Sequence, residues 1–143
     1  MSSETFNQAL EQFFRAMRTA RMKPSPVPGE LTRSQHVLLA PLLDHPDGAC
    51  SVSALAEAAD IASPTATRTL DGLERDGIVV RRPSETDRRS VLVELTDQGR
   101  ETMLASRKRL RAARAELYAR LEPSEQEEAE RILRRLTEII RSI

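Results

Sequence analysis

The stretch SETDRRSVLVELT, residues 84 to 96, leaves the chain little choice of local structure. Its first part is a polar loop centred on Asp87, Arg88 and Arg89. Its second part alternates Val91, Val93 and Leu95 with Ser90, Leu92 and Glu94, the period of two that marks a half-buried strand. Just upstream, the short apolar run Ile78-Val79-Val80 ends in Arg81 and Arg82. The segment is expected to be a β-hairpin that carries arginine at its tip.

Two short helices are expected before it, within SVSALAEAADIASPTATRTLDGLERDG. Ser51 or Ser53 caps the first, whose Leu55, Ala56 and Ala59 face inward, and ADIA then makes a tight corner around Ile61. The second starts with Ser63 as N-cap and Pro64 at the first helical position, and Gly77 stops it. Two short helices joined by a tight turn and followed by a hairpin are the parts of a winged helix-turn-helix. At about 100° per residue, Ala66, Thr69, Leu70 and Leu73 fall on one side of the second helix, and Pro64, Thr67, Arg68, Asp71 and Arg75 on the other. Short polar groups at the N-terminus with arginine one turn later suit a helix that enters a major groove end-first. A solvated face has the same composition, and only the hairpin that follows separates the two readings.

The flanks are helical. Phe6, Leu10, Phe13, Phe14 and Met17 recur at helical spacing and precede the loop KPSPVPG. Thr32 and Gln35 stand in capping-box register ahead of Val37, Leu38, Leu42 and Leu43, the expected apolar face of a second helix. Pro41 lies inside that helix and is expected to bend or break it, at about 3 kcal/mol for an interior proline. After the hairpin, Thr96 caps a long arginine-rich helix with Met103, Leu110 and Leu117 at heptad spacing. A last helix opens with Ser124 and Glu127 as a capping box and carries Ile132, Leu133, Leu136, Ile139, Ile140 and Ile143 along one face. A stripe of this kind calls for a covering partner, so Phe6, Leu10, Phe13, Leu117, Ile132, Leu136, Ile139 and Ile140 are expected to form a dimer interface.

The 143 residues suffice for a modest core, and 22 acidic residues balance 22 basic ones, which argues against a nonspecific polycation. A local basic surface, presented twice by a symmetric dimer, remains compatible with nucleic acid. Lys23 and Lys108 are the only lysines, so the positive charge is nearly all arginine, the side chain suited to bidentate phosphate and guanine contacts. Cys50 is the single cysteine, and His36 and His45 have no neighbouring ligand cluster, so neither a metal centre nor a cofactor is expected. With no oriented nucleophile, acid–base pair or phosphate loop in view, the chain is not expected to be an enzyme. No apolar run approaches the roughly 20 residues of a membrane span, and the start MSSETFNQAL lacks the regions of a secretory signal, so a cytoplasmic location is expected.

LTRSQHVLL, TRTLDGLERDGIVVRR and DRRSVLVELTDQG, in this order and spacing, resemble the multiple-antibiotic-resistance regulator (MarR) family over nearly the whole chain. The resemblance implies a mainly α (α+β) winged helix-turn-helix with N- and C-terminal dimerisation helices. Residues 1–30 would form the N-terminal dimerisation helix and loop, 31–96 the DNA-binding domain, and 97–143 the C-terminal dimerisation helices. It implies a homodimeric regulator, usually a repressor, that binds a pseudo-palindromic operator in double-stranded DNA and releases it when a small molecule binds. By position, Ser63, Pro64, Thr65, Thr67 and Arg68 match the groove-reading residues. Arg89 matches the wing arginine, Asp87 the carboxylate that orients it, and Arg88 lies beside them to meet phosphate. The small molecule, often an aromatic or phenolic anion, would sit between the first, second and long fifth helices, with Arg15, Arg18 and His36 as candidate contacts. Pro41 departs from the family pattern. The competing function is a winged-helix protein-interaction module without DNA binding.

Overall fold

The computed structural model describes residues 2–21, 29–87 and 89–143. Among these residues nine elements follow one another: α1 (Ser3–Arg21), α2 (Arg33–Asp44), β1 (Ala49–Ser51), α3 (Val52–Ala58), α4 (Ser63–Arg75), β2 (Val79–Pro83), β3 (Val91–Leu95), α5 (Asp97–Ala119) and α6 (Pro123–Arg141). They fall into two compact units, Met1–Ser106 and Arg107–Ile143. Most of the loop KPSPVPG lies outside the described residues.

The expected helix-turn-helix and hairpin are both present. In α2, the Thr32 hydroxyl accepts from the Gln35 amide (3.2 Å) while the Gln35 side chain accepts from the Thr32 amide (2.9 Å), the reciprocal box expected there. Its buried face is His36, Leu38, Leu39 and Leu42. Leu39 therefore replaces Val37, which is exposed, and Leu43 is only half-buried. Pro41 neither breaks nor divides the helix, which runs through it to Asp44. The carbonyl deprived of its usual donor belongs to the exposed Val37, where water can serve it, and the His45 amide closes the last turn onto Pro41 O at 2.9 Å.

Ser51 caps α3 by accepting from the Ala54 amide at 3.1 Å. The corner to α4 turns at Asp60, whose φ of 54° is left-handed, and the Ile61 amide returns to Ala56 O at 3.0 Å. Helix α4 begins one residue earlier than its sequence suggests. Its N-cap is Ala62, which offers no side-chain bond, and Ser63 and Pro64 are already helical. In α6 the capping box is formed by Glu122 and Glu125 rather than Ser124 and Glu127, because Pro123 takes the first helical position and moves the start of the helix back.

The hairpin pairs β2 with β3 in antiparallel register, Val79 opposite Leu95 and Arg81 opposite Val93. Sequence reading missed a third strand: β1 pairs with the other edge of β3, Cys50 opposite Val93, giving the order β1-β3-β2. At three residues β1 is too short to show a period of two. Leu38, Leu39 and Leu42 of α2, Leu55 of α3, Leu70 and Leu73 of α4, Val79, Val93 and Met103 of α5 form the solvent-free centre of the first unit. Thr96 joins the sheet to α5: its hydroxyl donates to Gly77 O (2.5 Å) and accepts from the Gly99 amide (2.9 Å). A Cβ on Gly99 would overlap the Ile78 carbonyl, so only glycine lets α5 approach the backbone this closely.

The flanking helices are built differently. Among its described side chains α1 buries none, and α6 buries none at all; Phe6, Phe13, Leu117, Ile132, Ile139 and Ile140 are exposed, with Leu10 and Leu136 half-buried. No helix among the described residues is long and apolar enough to cross a membrane.

Candidate nucleic-acid interface

Helix α4 divides its residues as its periodicity requires. Ala66, Leu70 and Leu73 are buried against the core, while Ser63, Pro64, Thr65, Thr67, Arg68, Asp71 and Arg75 are exposed. Thr69, half-buried, donates to Thr65 O at 3.1 Å and does not reach the outer face. The N-terminal turn, lacking a side-chain cap, leaves its amides open to an acceptor from outside the chain.

The wing tip is held by its own polar residues. The Ser84 amide donates to Ser90 O (2.9 Å) and the Ser90 amide to Asp87 O (3.0 Å). Ser84, itself buried, accepts at its hydroxyl from the amides of Thr86 (3.3 Å) and Asp87 (3.4 Å). The Asp87 carboxylate accepts from the Arg89 amide (3.0 Å) and the Ser90 hydroxyl (3.1 Å). The sequence suggested that Asp87 steers the Arg89 guanidinium. Its observed bonds go instead to the Arg89 backbone amide and the Ser90 hydroxyl, where it folds the turn from which Arg89 projects. Among the described residues the side chains of Arg68 and Arg89 make no ion pair. Arg88 lies outside the described residues.

An open cleft joins α4 and the wing: Thr67 of α4 lines it together with Arg89, Ser90 and Val91 of the wing and with Ser51 and Ser53. Arg81 also lines it and was not singled out from the sequence. Its Nε donates to Glu74 (2.6 Å) and its Nη2 to Asp71 (2.5 Å), tying β2 to α4. Glu74 first, then Asp71, push the Arg81 pKa up, so this side chain is a fixed cation. Arg82, on the opposite face of β2, pairs with Glu94 across the sheet at 2.7 Å. The signal available in the sequence was register: Arg81 shares the inward face of β2 with Val79.

The three candidate effector contacts differ in setting. Arg15 and Arg18 are exposed on α1, whereas His36 is 8% exposed and belongs to the packed face of α2, which suits a core histidine better than a ligand contact. Cys50 is buried, and burial pushes its thiol pKa up. Among the described residues no group of acidic, histidine or cysteine side chains could hold a metal ion.

Residues 31–91 match the MarR family. The chain is 37% identical over 102 residues to YdgJ, an HTH-type transcriptional regulator of Bacillus subtilis, covering 71% of this chain and 62% of that one. It is also 37% identical over 70 residues to the HTH-type transcriptional repressor YetL of the same organism, covering 49% and 42%. The matches thus span about half the length of these curated relatives. Among solved structures, Bordetella bronchiseptica BpsR, whose DNA binding is regulated by 6-hydroxynicotinic acid, superposes with a TM-score of 0.70 at 26% identity, over 91% of this chain and 98% of its own. The helix-turn-helix and most of the wing lie within the residues that match the MarR family, and the chain is a winged helix-turn-helix protein similar to that family.

Proposed function

We propose that the protein is a sequence-specific DNA-binding transcriptional regulator that acts as a homodimer, represses its targets, and is relieved by a small molecule. The observation that carries this reading is the shared cleft of Thr67 and Arg89, which puts the outer face of α4 and the wing tip on one side of the same unit. A helix with Ser63, Pro64, Thr65, Thr67 and Arg68 outward fits a major groove, and an arginine on a stiff hairpin fits the adjoining minor groove, where a narrow A·T-rich segment concentrates negative potential. The resemblance to a repressor and to a regulator governed by an aromatic acid supports repression and ligand relief. The exposed apolar residues of α1 and α6 support the homodimer.

The test is affinity for the protein's own upstream region across a salt series. Arg68→Ala is expected to cost about 1–3 kcal/mol per half-site and to relax preference at one base position. Arg89→Ala is expected to weaken binding by an amount set by the A·T content of the flanks and by salt. Because Asp87 folds the tip, Asp87→Ala should reproduce part of the Arg89→Ala defect. Equal binding of every flank by Arg89→Ala and the parent would remove the wing from the reading. A parent that binds no DNA at any salt would instead favour a protein-interaction module.

A further inference from the structure

The wing and the reading helix can act together only if their relative angle is fixed. Leu70 and Leu73 of α4 share a core with Val79 and Val93 of the hairpin, and the turn through Gly77 between them is closed by the Ile78 amide on Leu73 O. On the solvent side of that turn, a side chain that joins the two elements is Arg81. Strand alternation puts it on the inward face of β2 with Val79, pointing toward α4, whereas Arg82 on the other face only bridges two strands already joined by backbone bonds. On α4, Asp71 and Glu74 stand three residues apart, so their carboxylates are neighbours of like charge. Nε and Nη2 of Arg81 lie along one edge of the guanidinium, and each bonds a different carboxylate. A planar group held at two points cannot swivel about either bond alone, which distinguishes it from a lysine point charge. Asp71 moreover shares the outward face of α4 with Thr67 and Arg68, where an uncompensated carboxylate would repel phosphate.

We infer that Arg81, by gripping Asp71 and Glu74 together, is the positioning residue that sets the wing at a fixed angle to the reading helix and masks two carboxylates from DNA. The inference rests on the DNA-binding reading for its consequence but not for its geometry. Both carboxylates are about half exposed, at 52% and 43%, so the grip is screened by solvent and adds little to folding stability. Its effect is on orientation, and that separates it from a general structural role.

The experiment uses the full chain. Residual dipolar couplings of the DNA-free protein report the orientation of α4 relative to residues 79–95. In the parent one alignment should fit both. In Arg81→Gln the two should need separate alignments at an unchanged melting temperature, and Asp71→Asn combined with Glu74→Gln should do the same, which guards against a single variant that fails to fold. Against DNA, Arg81→Gln should lose about 10-fold in affinity for operators with A·T-rich flanks, the scale of one charge-assisted contact. It should keep the base preference supplied by Arg68. Arg81→Lys should recover the salt-dependent part of binding but not the flank preference, and the double carboxylate variant should lose less affinity than Arg81→Gln because its repulsive charges are gone. If the couplings of Arg81→Gln fit one alignment as well as the parent's, the grip does not set the angle and the inference is wrong, whatever DNA shows. A lost alignment with an unchanged flank preference overturns it equally. If the parent binds no DNA, the functional reading fails on its own and the couplings alone decide the grip.

Discussion

Helices α4 and α6 carry apolar residues at the same helical spacing, yet their fates differ completely. In α4, Ala66, Leu70 and Leu73 are sealed in a core completed by α2, α3, the sheet and the start of α5. In α6, Ile132, Leu133, Ile139 and Ile140 are exposed, and no residue of the helix is buried. The difference shows what apolar periodicity does and does not establish. It states that a face will be covered, and says nothing of what covers it. Burying a leucine or isoleucine is favourable by about 1.5–3 kcal/mol relative to exposing it, so a stripe left open on a single chain is a large unused driving force for association.

The sharpest way to break this comparison is to charge the open stripe. Leu136→Glu with Ile140→Glu should leave the winged unit folded, since its core contains neither residue, but convert a dimer to a monomer in sedimentation. Losing the second half-site from the same assembly should reduce operator affinity by about 100-fold or more, the scale of lost avidity. A folded monomer that kept full operator affinity would end the dimer reading and leave the α6 stripe without an explanation.

The next contrast lies within α4 itself. Leu70→Ala removes a side chain with no solvent exposure and should cost about 2–5 kcal/mol in denaturant unfolding. Thr67→Ala, three residues earlier on the outer face, should change stability by no more than about 0.5 kcal/mol while weakening operator binding. Equal destabilisation by the two would mean that the outer face is packed and unavailable to a ligand as large as DNA.

Elements with a strong local signal were legible. The Thr32–Gln35 box, the Ser51 cap, the Thr96 cap, the inward and outward faces of α4, and the β2–β3 hairpin all follow from side chains that act on their own neighbourhood. What was missed depends on partners far along the chain. Strand β1 exists because β3 has a second edge to pair, and Leu39 rather than Val37 faces inward because α3 and the sheet lie on that side of α2. The helix starts at Ser63 and Pro123 were displaced by one or two residues because a proline in the first turn is compatible with either of two registers. In the candidate interface the exposed residues of α4 were read correctly from their periodicity. The roles of Asp87 and Arg81 required the folded hairpin: the first bonds a backbone amide two residues away and a hydroxyl three residues away, the second reaches across to another element.

The smallest expected effect concerns Cys50, where the closed unit can be probed at its weakest edge. Strand β1 is only three residues long and lies at an edge of the sheet, yet the thiol opposite Val93 is buried. Burial disfavours the thiolate and pushes the pKa above the usual thiol value of 9.0. A thiol that is both neutral and covered is a poor nucleophile, so at pH 8 the native protein should react with a disulfide reagent far more slowly than the same chain in guanidinium. The pH dependence has a definite sign. A pKa raised on folding gives a contribution that is complete below the unfolded value and is lost as pH rises through the folded one. The difference in stability between the parent and Cys50→Ala should therefore be nearly flat up to about pH 8 and should turn against the parent as pH rises through 9.0, where the unfolded thiol ionises. Rapid labelling of the native protein at pH 8, or a difference that already drifts between pH 6 and 8, would show that β1 opens readily and that the first unit is less completely closed than its burial indicates.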